Sequence, residues 1–206
     1  MKKTIFITLV VACVLVLTGC GSSVSQQFID KHNEIVALGK EAEQIANLEK
    51  SAEMDTLSKQ MDSEDYTEAI KTIEVALSKK KDASSKFDLI DSKLIELTTL
   101  SSDISNAKVK VSADKFIDVA KKENSVKIKY NDLQIQMLEK TKLMVEILVK
   151  DDMDVTDEKT IDSLVKEIND TKDQFDVVQK EANDIQQQYE IAENEFFSLA
   201  NLQINE

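Results

Sequence analysis

Residues 160–200 read TIDSLVKEINDTKDQFDVVQKEANDIQQQYEIAENEFFSLA. From Ile161 a seven-residue repeat sets Ile161, Ile168, Phe175, Ala182, Tyr189 and Phe196 in one column. Leu164, Thr171, Val178, Ile185, Ala192 and Leu199 form a second column beside it, and of these twelve positions only Thr171 is polar. Apolar residues spaced alternately three and four apart form one stripe on an α-helix, and a stripe held for this many turns predicts left-handed supercoiled packing against a partner helix. The expected N-cap is Thr156, followed by Asp157 and Glu158, whose charges suit the positive end of the helix dipole.

Working outward, the same periodicity recurs three times. A third helix is expected from about Ser112 to Lys150, with Phe116, Val119, Val126, Tyr130, Leu133, Met137, Met144 and Ile147 inward. A second, near Glu64 to Ile104, carries Tyr66, Ala69, Ile73, Ala76, Leu77, Phe87, Ile90, Leu94 and Leu97 at helical spacing. The first, near Gln26 to Met61, is weaker, and its stripe of Phe28, Ile35, Leu38, Ala42, Ile45, Leu57 and Met61 falters between Glu49 and Asp55. Turns near Asp62, Asn106 and Asp154 would fold the helices back on one another. Helices of about 40 residues are roughly 60 Å long at 1.5 Å per residue, so the expected fold is all-α: an elongated antiparallel bundle of about four long helices with coiled-coil packing. Fewer, longer helices in an extended coiled coil are the alternative.

Composition supports helices and excludes several chemistries. The 206 residues contain no proline, no tryptophan and only three glycines. Sheets joined by tight turns need such punctuation. A phosphate-cradling loop needs closely spaced glycines so that backbone amides can approach the phosphate, and neither a P-loop nor a dinucleotide fingerprint can be written here. No cofactor is implied. The 26 basic residues are all lysine and face 39 acidic ones. Such a surface repels nucleic-acid backbones, and no nucleic acid is expected as partner.

The N-terminus decides location. A short basic start, MKK, precedes the uninterrupted apolar run Thr4 to Thr18, which is the layout of a secretory signal and too short for a spanning helix of roughly 20 residues. Leu17-Thr18-Gly19-Cys20 resembles a bacterial lipobox. That resemblance implies cleavage between Gly19 and Cys20, a diacylglyceryl group on the Cys20 thiol, and acylation (palmitate, for example) of the new amino terminus. Two acyl chains hold a protein durably on a bilayer where one does so only marginally. A cysteine that merely ends an ordinary signal peptide is the plainer alternative. Residues 1–19 are thus expected to be a cleaved leader, 20–26 a lipidated tether and 27–206 the helical domain, on the extracytoplasmic face of the cell membrane. Without Lys2 and Lys3 the remainder keeps 24 lysines and a formal charge of −15. Cys13 leaves with the leader, so Cys20 is the one cysteine remaining and no disulfide forms within the domain.

Candidate sites are sparse. His32, the single histidine, lies on or beside the first helix's stripe and lacks the partners a zinc or acyl-transfer site needs, so it reads as a boundary residue of the bundle. KDDMDVTDEKTIDS (150–163) has Asp152, Asp154 and Thr156 at alternate positions, like a calcium loop. Asp157 stands where that loop needs glycine and Ser163 where it needs a bidentate glutamate, so a capping acidic turn is the stronger reading and no metal is expected. The three lysines of SKKKDASSK (78–86) fan around a helix and read as solvated surface. Lys108 and Lys110, near the second turn, form a smaller patch that can touch an anionic polymer. Carboxylates abound, but a wall hydrolase also needs an aromatic-walled cleft, which these helices do not suggest. No catalytic residue is assigned. Phe197 points about 100° away from Phe196 and either packs on another helix or stays exposed.

Taken together, LTGCG, KYNDL (129–133), KDDMDVTDEKTIDSL (150–164) and AENEFFSLA (192–200) resemble the cell-wall-binding lipoproteins of Gram-positive bacteria. The resemblance implies a non-enzymatic envelope lipoprotein that binds or spaces the wall, with peptidoglycan as partner and membrane lipid met through acylated Cys20. A coiled-coil adaptor docking onto another envelope protein is the alternative, because long apolar stripes serve partner helices as readily as a private core.

Overall fold

The computed structural model describes residues 24–46 and 52–204. Gly19, Cys20 and the leader lie outside the described residues. Among the described residues there are five helices and no strand: α1 (Val24–Ala46), α2 (Ala52–Asp62), α3 (Tyr66–Ser102), α4 (Ala107–Leu148) and α5 (Val155–Ile204). The first expected helix is therefore two. Residues 47–51 lie outside the described residues, and they overlap the stretch from Glu49 to Asp55 where the expected stripe falters.

The turns fall where expected, and each is closed by polar chemistry instead of glycine. The α2–α3 turn is a Schellman closure: Asp65 N–H donates to the Gln60 carbonyl at 2.8 Å and Glu64 N–H to that of Met61 at 3.2 Å. It forces Glu64 to a φ of 59°. Asn106 caps α4, its side-chain oxygen accepting from Lys108 N–H at 3.0 Å and Val109 N–H at 3.3 Å. The cap of α5 is Asp154, two residues earlier than the expected Thr156. Its Oδ1 accepts from the N–H groups of Thr156 and Asp157 at 2.8 and 2.9 Å, while Asp157 Oδ2 accepts from Asp154 N–H. Carboxylates at both positions permit this reciprocal box, which a threonine cap two residues later would forgo.

Cross-helix ion pairs fix the directions. Glu34 pairs with Lys93 and Glu41 with Lys86, so α1 runs antiparallel to α3. Lys115–Glu195, Lys129–Glu181 and Lys140–Glu167 do the same for α4 and α5. Lys127 of α4 reaches Glu43 of α1 at 2.8 Å and its own Glu123 at 2.9 Å. Burial opposes its charge, yet the two carboxylates outweigh that and raise its pKa.

On α5 the burial pattern is the sequence repeat. From Ile161 to Ala192 the ten column positions are covered and every residue between them is exposed. On α3 the buried residues Ala69, Ile73, Ala76, Lys80, Ala83, Phe87, Ile90, Leu94, Leu97 and Ser101 keep the same alternate spacing. Helix α4 has two buried faces: Ala113, Ile117, Ala120, Leu138 and Val145 complement the α3 seam, while Val126, Leu133 and Tyr130 meet Val178, Phe175 and Ile185 of α5. It is the central helix. At the end where α1 begins, Phe28, Phe116 and Phe196 join α1, α4 and α5, with the Phe28 and Phe196 ring centroids 4.6 Å apart. Each such fully buried aromatic contributes about 2–3 kcal/mol through apolar area removed from water. At the other end a smaller core gathers Leu57 of α2, Ile73 and Leu77 of α3, and Leu138 and Val145 of α4.

Candidate functional site

Lys108 and Lys110 sit in the first turn of α4. Lys108 is exposed. Lys110 Nζ donates to the Ser101 carbonyl at 3.2 Å and lies 3.6 Å from Asp114. Its charge therefore rests on the carbonyl end of α3, where the helix dipole favours a cation. The two lysines do not act as one patch: one is committed to the fold and the other faces water.

The acidic turn at 150–163 is likewise committed. The capping box uses Asp154 and Asp157, and Lys150 Nζ holds Asp157 Oδ1 at 2.6 Å. Hydrogen bonds from Lys150 and from the Asp154 backbone hold the Asp157 carboxyl below its ordinary pKa. Among the described residues no group of three or more His, Cys, Asp or Glu side chains converges as a metal site.

The lysine triplet corrects the solvated-surface reading. Lys81 is exposed and Lys79 pairs with Glu53 of α2, but Lys80 is fully buried. It occupies a seam position three residues before Ala83, and neighbouring lysines disguise that spacing. Its ammonium donates to the Ala46 carbonyl at the end of α1 and to Gln134 Oε1 on α4. A buried cation is tolerated there because a carbonyl end and an amide oxygen replace its water.

Two further buried polar residues escaped sequence reasoning. Asn124 Nδ2 donates to the Phe87 carbonyl at 3.0 Å and to Asp91 at 2.7 Å. One heptad on, Asn131 Nδ2 donates to the Lys80 carbonyl at 2.9 Å and to Ser84 Oγ at 2.8 Å. The repeat of one contact at seven-residue spacing on both helices makes this a register pin between α3 and α4. Its sequence signal was two asparagines seven apart on the α4 face that also carries Ala113, Ile117, Ala120, Leu138 and Val145.

His32 is 4% exposed, more deeply buried than a boundary residue. Its Nε2 lies 2.9 Å from Glu193 and 3.3 Å from the Tyr189 hydroxyl, and its ring meets Phe116 and Phe197 edge-on at 5.3 and 5.1 Å. Phe197 thus packs on α1 through His32. Nδ1 has no hydrogen-bond partner among the described residues. Burial, then Glu193 and Glu123, push the Tyr189 hydroxyl well above its ordinary pKa. This polar knot stitches α1 to α5 inside the aromatic core and offers no access to a substrate.

Between α4 and α5 a shallow open groove runs past Lys122, Val177, Glu181, Asp184 and Gln188. Large apolar side chains exposed beside the α4–α5 turn are Val149, Met153 and Val155. No described helix is long and apolar enough to cross a membrane. No family model matches this chain, and neither a search of curated proteins nor one of solved structures finds a match.

Proposed function

We propose that this chain is a membrane-anchored envelope lipoprotein without catalytic activity, whose helical bundle binds or spaces the cell wall. The observation that carries the reading is the sequence before α1: a basic start, an apolar run and Leu17-Thr18-Gly19-Cys20, with α1 beginning only four residues after the cysteine. A stiff acyl-anchored rod follows, packed along heptad seams as a coiled coil. Lys110, Lys150, Asp154 and Asp157, near the helix ends, are spent on caps and ion pairs.

Two measurements test this. Cells expressing the chain, fed a labelled palmitate analogue, incorporate it into the wild type and not into Cys20→Ala; equal labelling of both excludes the anchor. The soluble domain from Ser22 onward cosediments with purified peptidoglycan when folded and not after heat unfolding. No retention of the folded domain removes wall binding and leaves spacing or protein docking.

Docking onto a second envelope protein is the alternative, favoured by Val149, Met153 and Val155, exposed by 43, 48 and 65% at one tip of the rod. Crosslinking on intact cells that recovers only this chain counts against it.

A further inference from the structure

The turns of the bundle divide between its two ends. The start of α1, the α3–α4 turn and the last turns of α5 share one end, since Phe28 packs on Phe116 and Phe196 while Val24 joins the same core as Ile104 and Val109. The α2–α3 and α4–α5 turns share the other. These ends differ in charge. The far end carries Asp62, Glu64 and Asp65 on one turn and Asp151, Asp152 and Asp154 on the other, against Lys150. From Asp103 to Asp114 the near turn balances two lysines with two aspartates, and Val111 there is 68% exposed.

We infer that the α3–α4 turn is the face set on the membrane, with exposed Lys108 against anionic phospholipid headgroups and the two acidic turns directed away from the bilayer. The inference rests on the anchor proposed above. Three residues separate Cys20 from Val24, and the four steps between them, at about 3.5 Å each, span at most roughly 14 Å. Helix α4 is roughly 63 Å long at 1.5 Å per residue, so the leash holds one end near the headgroups without bringing the other there. Charge then selects upright over flat: anionic headgroups repel the acidic turns and the acidic outer face of α5, and attract Lys108 within a Debye length of the surface. On this geometry Lys108 is a membrane residue and not the wall-polymer contact expected from sequence.

The test uses the full lipidated chain reconstituted in vesicles of phosphatidylglycerol and phosphatidylcholine. A fluorophore is attached at Ser105→Cys, on the near turn, or at Met153→Cys, on the far one. The chain has no cysteine after Cys20, and acylation blocks that thiol, so labelling is single-site. A nitroxide on the lipid headgroup should quench the label at 105 several-fold more than the label at 153. Adding Lys108→Glu should narrow this ratio at low salt and leave it unchanged at high salt. Equal quenching at both positions, or stronger quenching at 153, overturns the inference while leaving the anchor intact. Wild type that fails to float with vesicles, or carries no acyl group at Cys20, overturns the anchor itself and this inference with it.

Discussion

Asn131 of α4 donates its side-chain amide to the main-chain carbonyl of Lys80 on α3 at 2.9 Å. Together with Asn124 on Phe87, this sets which turn of α4 meets which turn of α3. A slide of one heptad that carries Asn131 toward Ile73 and Leu77 would exchange Ser84 for an apolar side chain and cost about 1–3 kcal/mol for the amide hydrogen left unpaired.

Replacing Asn124 and Asn131 together by leucine should therefore hold or raise stability while loosening register, as buried polar seam residues trade one for the other. We expect an unchanged or higher urea midpoint together with new oligomers in sedimentation. A clear loss of stability with a single monodisperse species would refute the pin.

Lys80→Ala should be among the most damaging single changes, at about 2–4 kcal/mol, because it opens a cavity and strips a donor from the Ala46 carbonyl and from Gln134. Lys80→Met keeps the aliphatic volume and should cost about half as much. Urea unfolding of both variants, compared at equal m-value, checks the order.

Glu64 occupies the left-handed region where a side chain is strained and glycine is not. Glu64→Gly should stabilise by about 0.5–1 kcal/mol despite the added freedom of the unfolded chain. A lower melting temperature would mean that the turn is held by something other than its backbone closure.

The Tyr189 hydroxyl ionises well above the ordinary tyrosine value in the folded protein, from burial first and Glu193 and Glu123 after it. A raised folded pKa means stability fully present below about pH 10, the unfolded value, and falling as pH rises toward the folded one. Tyr189→Phe should flatten that alkaline decline. The wild-type tyrosinate absorbance of this residue should appear only as the bundle unfolds; its appearance in the folded state would contradict the burial.

Helix α5 is fastened unevenly. Near its end it shares the aromatic core with α1, α3 and α4, whereas Leu164 and Thr171 belong to none of the larger cores. Hydrogen exchange should find amides of 161–175 opening well before those of 189–200. Uniform protection along α5 would show that the single seam suffices.

Sequence reasoning read the seams well where they are apolar, as on α5, and it located the turns at Asp62, Asn106 and Asp154 from polar residues alone. It failed where the seam is polar. Lys80, Asn124 and Asn131 look like surface in one dimension, and only the facing carbonyls of a neighbouring helix make them interior. The second buried face of α4 was missed for a related reason: two overlapping stripes blur a single period, and Ala113, Ile117 and Ala120 look unremarkable beside Phe116 and Val119. The division of the first expected helix into α1 and α2 showed in sequence only as a faltering stripe, since lost periodicity carries no stop signal of its own. His32 was placed correctly on a stripe, but Tyr189 and Glu193 lie more than 150 residues away in sequence and no local pattern joins them.

Outside the ten covered positions between Ile161 and Ala192 the side chains are exposed, and of these Glu167 and Glu181 also reach lysines of α4. Natural variation can rewrite most of those outward residues, provided the chain stays helical. Descent along this stretch would then be recorded in the spacing of its apolar residues, with letter-by-letter likeness fading first.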